Sequence, residues 1–167
     1  SAGNSAVHIA IPWLVLETTG SSANAGVVLG ISGFSVIFTA PIIGGLIAVL
    51  GARPVSIWAD IISAGSVILF PIVGTLFGLN LASLLIIAIV GALFDPAGAT
   101  ARKSLIQAVA ERDGLSLLKF NGAYEAAATI GTVIGPTGAA LAIGFVGINA
   151  TFYLIAIVFL LASCLAF

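Results

Sequence analysis

The chain has 167 residues, of which 60% are hydrophobic and 7% charged, and its formal net charge is −1. A soluble domain usually carries about 25% charged residues, so a mean hydropathy of +1.29 points to lipid rather than water as the solvent. Five Lys and Arg cannot form the concentrated basic face that phosphate binding needs, which argues against a nucleic-acid partner.

Residues 18–52, 61–94 and 126–167 contain no Asp, Glu, Lys, Arg or His. Each exceeds the roughly 20 residues that cross a bilayer as helix. Backbone amides must be paired in hydrocarbon, which leaves helices or a closed barrel. Period-2 alternation is absent and the apolar runs are broken by Gly and Pro, so the expected fold is an all-α integral membrane bundle.

The first helix is expected over 1–17. It is short for a span, and with no Met at position 1 the expectation is that the sequence begins inside this helix. Asn4 and His8, four residues apart, share a face and are candidates for lining a substrate path. Glu17 is expected at the outer end, and Trp13 in an interfacial belt or the bundle. Turn residues Thr18 to Ser22 close the element.

The second and third helices are expected over 24–50 and 54–77, separated by Gly51-Ala52-Arg53-Pro54, and the fourth over 80–104 after Gly78-Leu79-Asn80. Pro41, Pro71 and Pro96 interrupt helical hydrogen bonding and make hinges or simple kinks. The segment 104–118 mixes charges with Leu105, Ile106, Val109, Leu115 and Leu117. It reads equally as a short amphipathic interfacial helix or as a solvated loop.

The fifth helix is expected over 118–143 and the sixth over 148–167, with Tyr153 in an interfacial belt or the bundle. Cys164 has no partner cysteine in the chain, so disulfides and cysteine metal sites within it are excluded. No metal site and no cofactor is expected. Arg53 lies in the second connection, while Arg102, Lys103, Arg112 and Lys119 flank or occupy the fourth. The positive-inside rule then makes both connections, and both ends of the six-helix unit, cytoplasmic.

Asp60, Asp95 and Glu125 each fall a short way into a helix from that same end, near one depth. A carboxylate in lipid is costly, so all three should face protein or a water-filled cavity. Arg102, Lys103, Lys119 and Arg53 are close enough in depth to pair with them. These acids, with Arg53 and Arg102, are the candidates for a gating network or proton relay; a static ion-pair cluster is the alternative.

In the fifth helix, Ala127, Gly131, Gly135 and Ala139 form a stripe of small residues that lets a neighbouring helix approach closely, while Pro136 removes a backbone donor. The run Gly131, Gly135, Pro136, with Gly138 inside it, resembles the antiporter motif G-x-x-x-G-P-x-x-G-G of the major facilitator superfamily. Ala139 and Ala140 stand where that family has Gly-Gly. Gly45, Ala48, Gly51 and Arg53 resemble the family's signature between helices two and three, G-x-L-A-D-R-x-G-R-R. There Val49 alone replaces the central Asp-Arg pair and the loop is one residue shorter. Ala10-Ile11-Pro12-Trp13, Asp60, Asp95-Pro96-Ala97 and Asn121-Gly122 fit the same pattern.

The resemblance implies the amino-terminal six-helix half of a drug:proton antiporter-like efflux permease in the cell membrane. It would export a small amphiphilic molecule against proton entry by alternating access. Its partners would be the bilayer, substrate, protons, and a carboxy-terminal half or second copy. The alternatives are an intramembrane enzyme, whose nearest fragment is Ser32-Gly33 with the sole His8, or a channel, for which no filter-like repeat is visible. No catalytic residue is assigned.

Overall fold

The computed structural model describes residues 2–112, 114 and 116–166. Among them the chain forms six helices and no strand: α1 Ala2–Thr19, α2 Ser22–Leu50, α3 Ala52–Leu76, α4 Leu81–Arg112, α5 Leu117–Val146 and α6 Ile148–Ala166. Four of these, α2 to α5, are long and apolar enough to cross a membrane; α6 adds a shorter apolar stretch, Ile148–Cys164. Ser1 and Phe167, at the ends of the expected first and sixth helices, lie outside the described residues.

The breaks fall where turn chemistry places them. Each of the five connections contains a glycine at positive φ: Gly20, Gly51, Gly78, Gly114 and Gly147. A residue with a Cβ is strained there, so these positions end one helix and release the chain into the next. At the start of α2, Ser21 Oγ accepts from the Asn24 backbone N–H at 3.3 Å. At the start of α4, Asn80 and Ser83 exchange side-chain-to-backbone bonds of 2.9 and 3.0 Å. Both arrangements satisfy amides that a helix start leaves unpaired.

One boundary differs from the sequence expectation. Residues 104–112, expected as a loop or a separate interfacial helix, continue α4 without a break. The stretch from Ser104 to Arg112 contains no Gly or Pro, so nothing ends the helix where its charges begin. At 1.5 Å per residue α4 is about 48 Å long, longer than the roughly 30 Å hydrocarbon core. Its charged last turns, with Arg102, Lys103, Glu111 and Arg112, are the part suited to extend beyond the apolar layer. Asp113 and Leu115 of the same expected segment lie outside the described residues.

α3 packs along α4 and α6, α1 along α5, and α2 along α4. The main core joins Leu14 and Val15 of α1, Val67 and Phe70 of α3, Leu84 and Ile87 of α4, and Phe152 and Phe159 of α6. Phe70 stacks on Phe152 with ring centroids 5.0 Å apart. Lipid removes the hydrophobic drive between helices, so close packing and small residues must supply the association. Gly3 illustrates this: a Cβ there would lie 3.1 Å from the Phe159 ring. Phe34, Ile37, Phe38, Val133 and Ile134 remain exposed on α2 and α5. Apolar surface on that scale suits contact with lipid or a further protein surface.

Candidate functional site

α3 carries a buried polar stripe, Ser56, Asp60, Ser63 and Ser66, spaced three or four residues apart so that one face bears all four. α4 answers it with Arg102, Asp95 and Gly91. Arg102 Nη1 donates to Asp60 Oδ2 at 2.8 Å and to Ser56 Oγ at 3.3 Å. Ser63 Oγ donates to Asp95 Oδ1 at 2.8 Å, and Ser66 Oγ donates to the Ser63 carbonyl at 2.9 Å. Two glycines make these contacts sterically possible. A Cβ at Gly98 would sit 3.0 Å from Arg102 Nη2, and one at Gly91 3.0 Å from Ser66 Oγ.

The three acids thus occupy three different environments. Asp60 is buried and ion-paired. Asp95 is half-buried, its hydrogen bond coming from a serine rather than the base expected. Glu125 is exposed and pairs with the equally exposed Lys103 at 2.7 Å, whose ammonium also lies 5.8 Å from the Tyr124 ring centroid. Of the three acids, expected to face protein or a water-filled cavity, Glu125 alone is exposed. It lies on the outer face of α5 because the α1-facing stripe of that helix is a different one. Arg53 is exposed at the start of α3.

Beside the stripe is a cavity of about 440 Å³ bounded by α1, α2, α3 and α4. Asn4 and His8 line it from α1, Ser32 and Gly33 from α2, Ser66 and Phe70 from α3, and Asp95 and Pro96 from α4. The structure therefore brings Asn4, His8 and Asp95 together and leaves Asp60, Glu125, Arg53 and Arg102 outside the lining. Sequence reasoning missed Ser63 and Ser66 as neighbours of Asp95; their spacing with Asp60 was the available signal. Ser32, noted only as a nucleophile fragment, shares the cavity with His8. Among the described residues its Oγ is buried without a hydrogen-bond partner, so no Ser–His contact of the kind an activated nucleophile uses is made there.

The small-residue motif of α5 lies against α1. A Cβ on Gly131 would be 3.3 Å from the Ala2 nitrogen, and one on Gly135 would meet the Ala2 carbonyl oxygen, Ser5 Cβ and the Ala6 nitrogen. Ala139 is buried, whereas Ala127 is exposed and Gly138 has open space around it. Pro136 lies within the continuous α5. At the opposite end of α1, Glu17 and Trp13 border a separate groove with Ile143 and Ile148.

Long apolar helices around an internal chamber with one acidic side chain in its wall define a polytopic membrane protein. The chain belongs to the Major Facilitator Superfamily, whose family model matches residues 1–167. It is 38% identical over 149 residues to the multidrug efflux pump Tap of Mycolicibacterium fortuitum, covering 87% of this chain and 36% of that protein. It is 35% identical over 162 residues to the proteins of the same name from Mycobacterium bovis and Mycobacterium tuberculosis, covering 95% of this chain and 39% of each. The chain thus spans a little over a third of the length of these relatives. No solved structure gives a significant match.

Proposed function

We propose that this chain is the amino-terminal six-helix half of a proton-coupled transporter that exports small amphiphilic molecules by alternating access. The single observation that carries the reading is the chamber among α1 to α4, with Asp95, His8 and Asn4 in its wall. The relatives named multidrug efflux pumps supply the direction of transport and the small-molecule cargo.

In this reading a carboxy-terminal half, or a second copy, closes the chamber from the exposed side of the bundle. The protein lies in the cell membrane, with the end bearing Arg53, Arg102 and Lys119 in the cytoplasm. Substrate and proton bind with different affinities in the inward-open and outward-open states, and that difference drives the exchange. Asp95 is the group placed to exchange a proton against cargo. The Asp60–Arg102 pair fastens α3 to α4 beside it, with Arg53 and Glu125 at the same end of the bundle. The Gly131–Gly135 face with Pro136 lets α1 and α5 move as a closely packed pair.

The test is uptake of a fluorescent amphiphile by inverted membrane vesicles containing the full-length protein. Uptake driven by an imposed proton gradient, abolished by a protonophore and lost in Asp95→Asn and Asp60→Asn at normal membrane insertion, is the expected result. Uptake that ignores the gradient, or full transport by both variants, would sink the reading.

A further inference from the structure

Charge is divided unequally between the two ends of the bundle. Arg53, Arg102, Lys103, Arg112 and Lys119 all belong to the end with the second and fourth connections. At the other end, which carries the connections at 20–21, 77–80 and 147, Glu17 is the one Asp, Glu, Lys, Arg or His. It is exposed on the last turns of α1, and no basic residue of the chain lies at its level. Glu17 borders a groove of about 710 Å³ between α1 and the junction of α5 with α6. This groove shares no lining residue with the chamber among α1 to α4.

The order of residues along the groove narrows the chemistry of its occupant. Ile9, Trp13, Leu16 and Glu17 share one face of α1, and Ile9 lies about 12 Å along the helix axis from Glu17. Ile143 and Ile148 line the facing side. The groove thus has one negative end, near the helix termini, and an apolar length that runs back into the hydrocarbon. Trp13, an indole suited to the headgroup level, sits one turn below the carboxylate. Ile9, Trp13 and Leu16 are 38%, 52% and 44% exposed, so the groove opens sideways toward the surroundings of the bundle. Glu17 repels an anionic head. A sugar would find only the carboxylate and the indole N–H among the lining side chains. What matches is an amphiphile with its cationic end outermost and its chain directed inward. In a bilayer that order is met by a phospholipid carrying a primary ammonium.

We propose that this groove binds an ethanolamine phospholipid of the adjacent leaflet, with its ammonium on Glu17 and an acyl chain laid between α1 and the α5–α6 junction. The Glu17 carboxylate accepts charge-assisted bonds from the ammonium N–H groups, and the Trp13 ring beside it adds a cation–π attraction. The acyl chain covers Ile9, Leu16, Ile143 and Ile148. Gly144 leaves room for it, since this glycine lines the groove and a Cβ there would meet nothing within 4 Å. The inference needs membrane residence alone and stands apart from the transport reading.

The test reconstitutes the full-length protein in vesicles of equimolar phosphatidylethanolamine and phosphatidylglycerol with the same acyl chains. The protein is then extracted in mild detergent, and the lipid it retains is counted by mass spectrometry. Phosphatidylethanolamine should be enriched about fivefold over phosphatidylglycerol. Glu17→Gln should remove most of that enrichment and leave phosphatidylglycerol retention unchanged. Gly144→Leu places a side chain in the open groove and should displace the same lipid while Glu17 keeps its charge. Both positions are exposed, so neither substitution disturbs the packed core. Exchanging phosphatidylethanolamine for phosphatidylcholine, whose quaternary ammonium has no N–H to donate, should lower retention about threefold. Equal retention of the ethanolamine and glycerol lipids would overturn the proposal, as would enrichment that either substitution fails to reduce. A groove covered by the remaining length of the protein would give no enrichment at all, which overturns it equally.

Discussion

Arg102 on α4 places its Nη1 2.8 Å from Oδ2 of Asp60 on α3, and it reaches there by lying across Gly98, where a Cβ would come within 3.0 Å of Nη2. The Asp60 side chain is 3% exposed and that of Arg102 23%. Neutralising one partner leaves the other charge stranded in a largely dry site. Asp60→Asn should therefore cost about 2–3 kcal/mol, below the range for fully buried pairs because Arg102 keeps some solvent. Thermal unfolding in detergent measures this. The exchange of both residues, Asp60→Arg with Arg102→Asp, should recover part of the loss, and Gly98→Val should reproduce it with both charges present.

Glu125 and Lys103 make the opposite case. Both side chains are more than half exposed, so water and salt screen the pair and its net contribution is small. Glu125→Gln should leave unfolding temperature and vesicle uptake unchanged. A loss of uptake as large as that expected for Asp95→Asn would show that Glu125 is part of the coupling machinery after all.

The α5 glycines separate by what stands opposite them. Gly135 faces the α1 backbone, with Ser5 Cβ 2.9 Å from where its own Cβ would be, while nothing lies within 4 Å of such an atom on Gly138. Gly135→Val must push α1 and α5 apart, an overpacking expected to cost about 1–3 kcal/mol. Gly138→Ala should stay within about 0.5 kcal/mol of the original. The fraction of monodisperse protein after extraction and heating distinguishes the two.

Ser63 is a positioning residue for Asp95, its Oγ 2.8 Å from Oδ1. Ser63→Ala removes a donor to a charged acceptor and should cost about 1.5 kcal/mol, whereas Ser63→Thr retains the hydroxyl and most of the stability. In the vesicle uptake assay Ser63→Ala should lower gradient-driven uptake and Ser63→Thr restore it, a pattern that loss of packing alone would not give.

Membrane residence, six helices and four of the five connections were readable from composition, apolar runs and turn residues, because these are local properties of the chain. Gly20, Gly51, Gly78, Gly114 and Gly147 end helices wherever the neighbouring helices pack. The continuation of α4 to Arg112 was also local in origin, but the charges at Arg102 and Lys103 obscured it by marking the edge of the apolar layer and not the end of the helix. Pairing was a different matter. Successive helical residues point about 100° apart, so which side chain meets which depends on the rotation and register of two helices, to within one residue. Only the tertiary arrangement joined Arg102 to Asp60 and Asp95 to Ser63, turned Glu125 outward to Lys103, set Gly135 against α1 but left Gly138 open, and brought Ser32 from α2 into one chamber with His8 and Asp95.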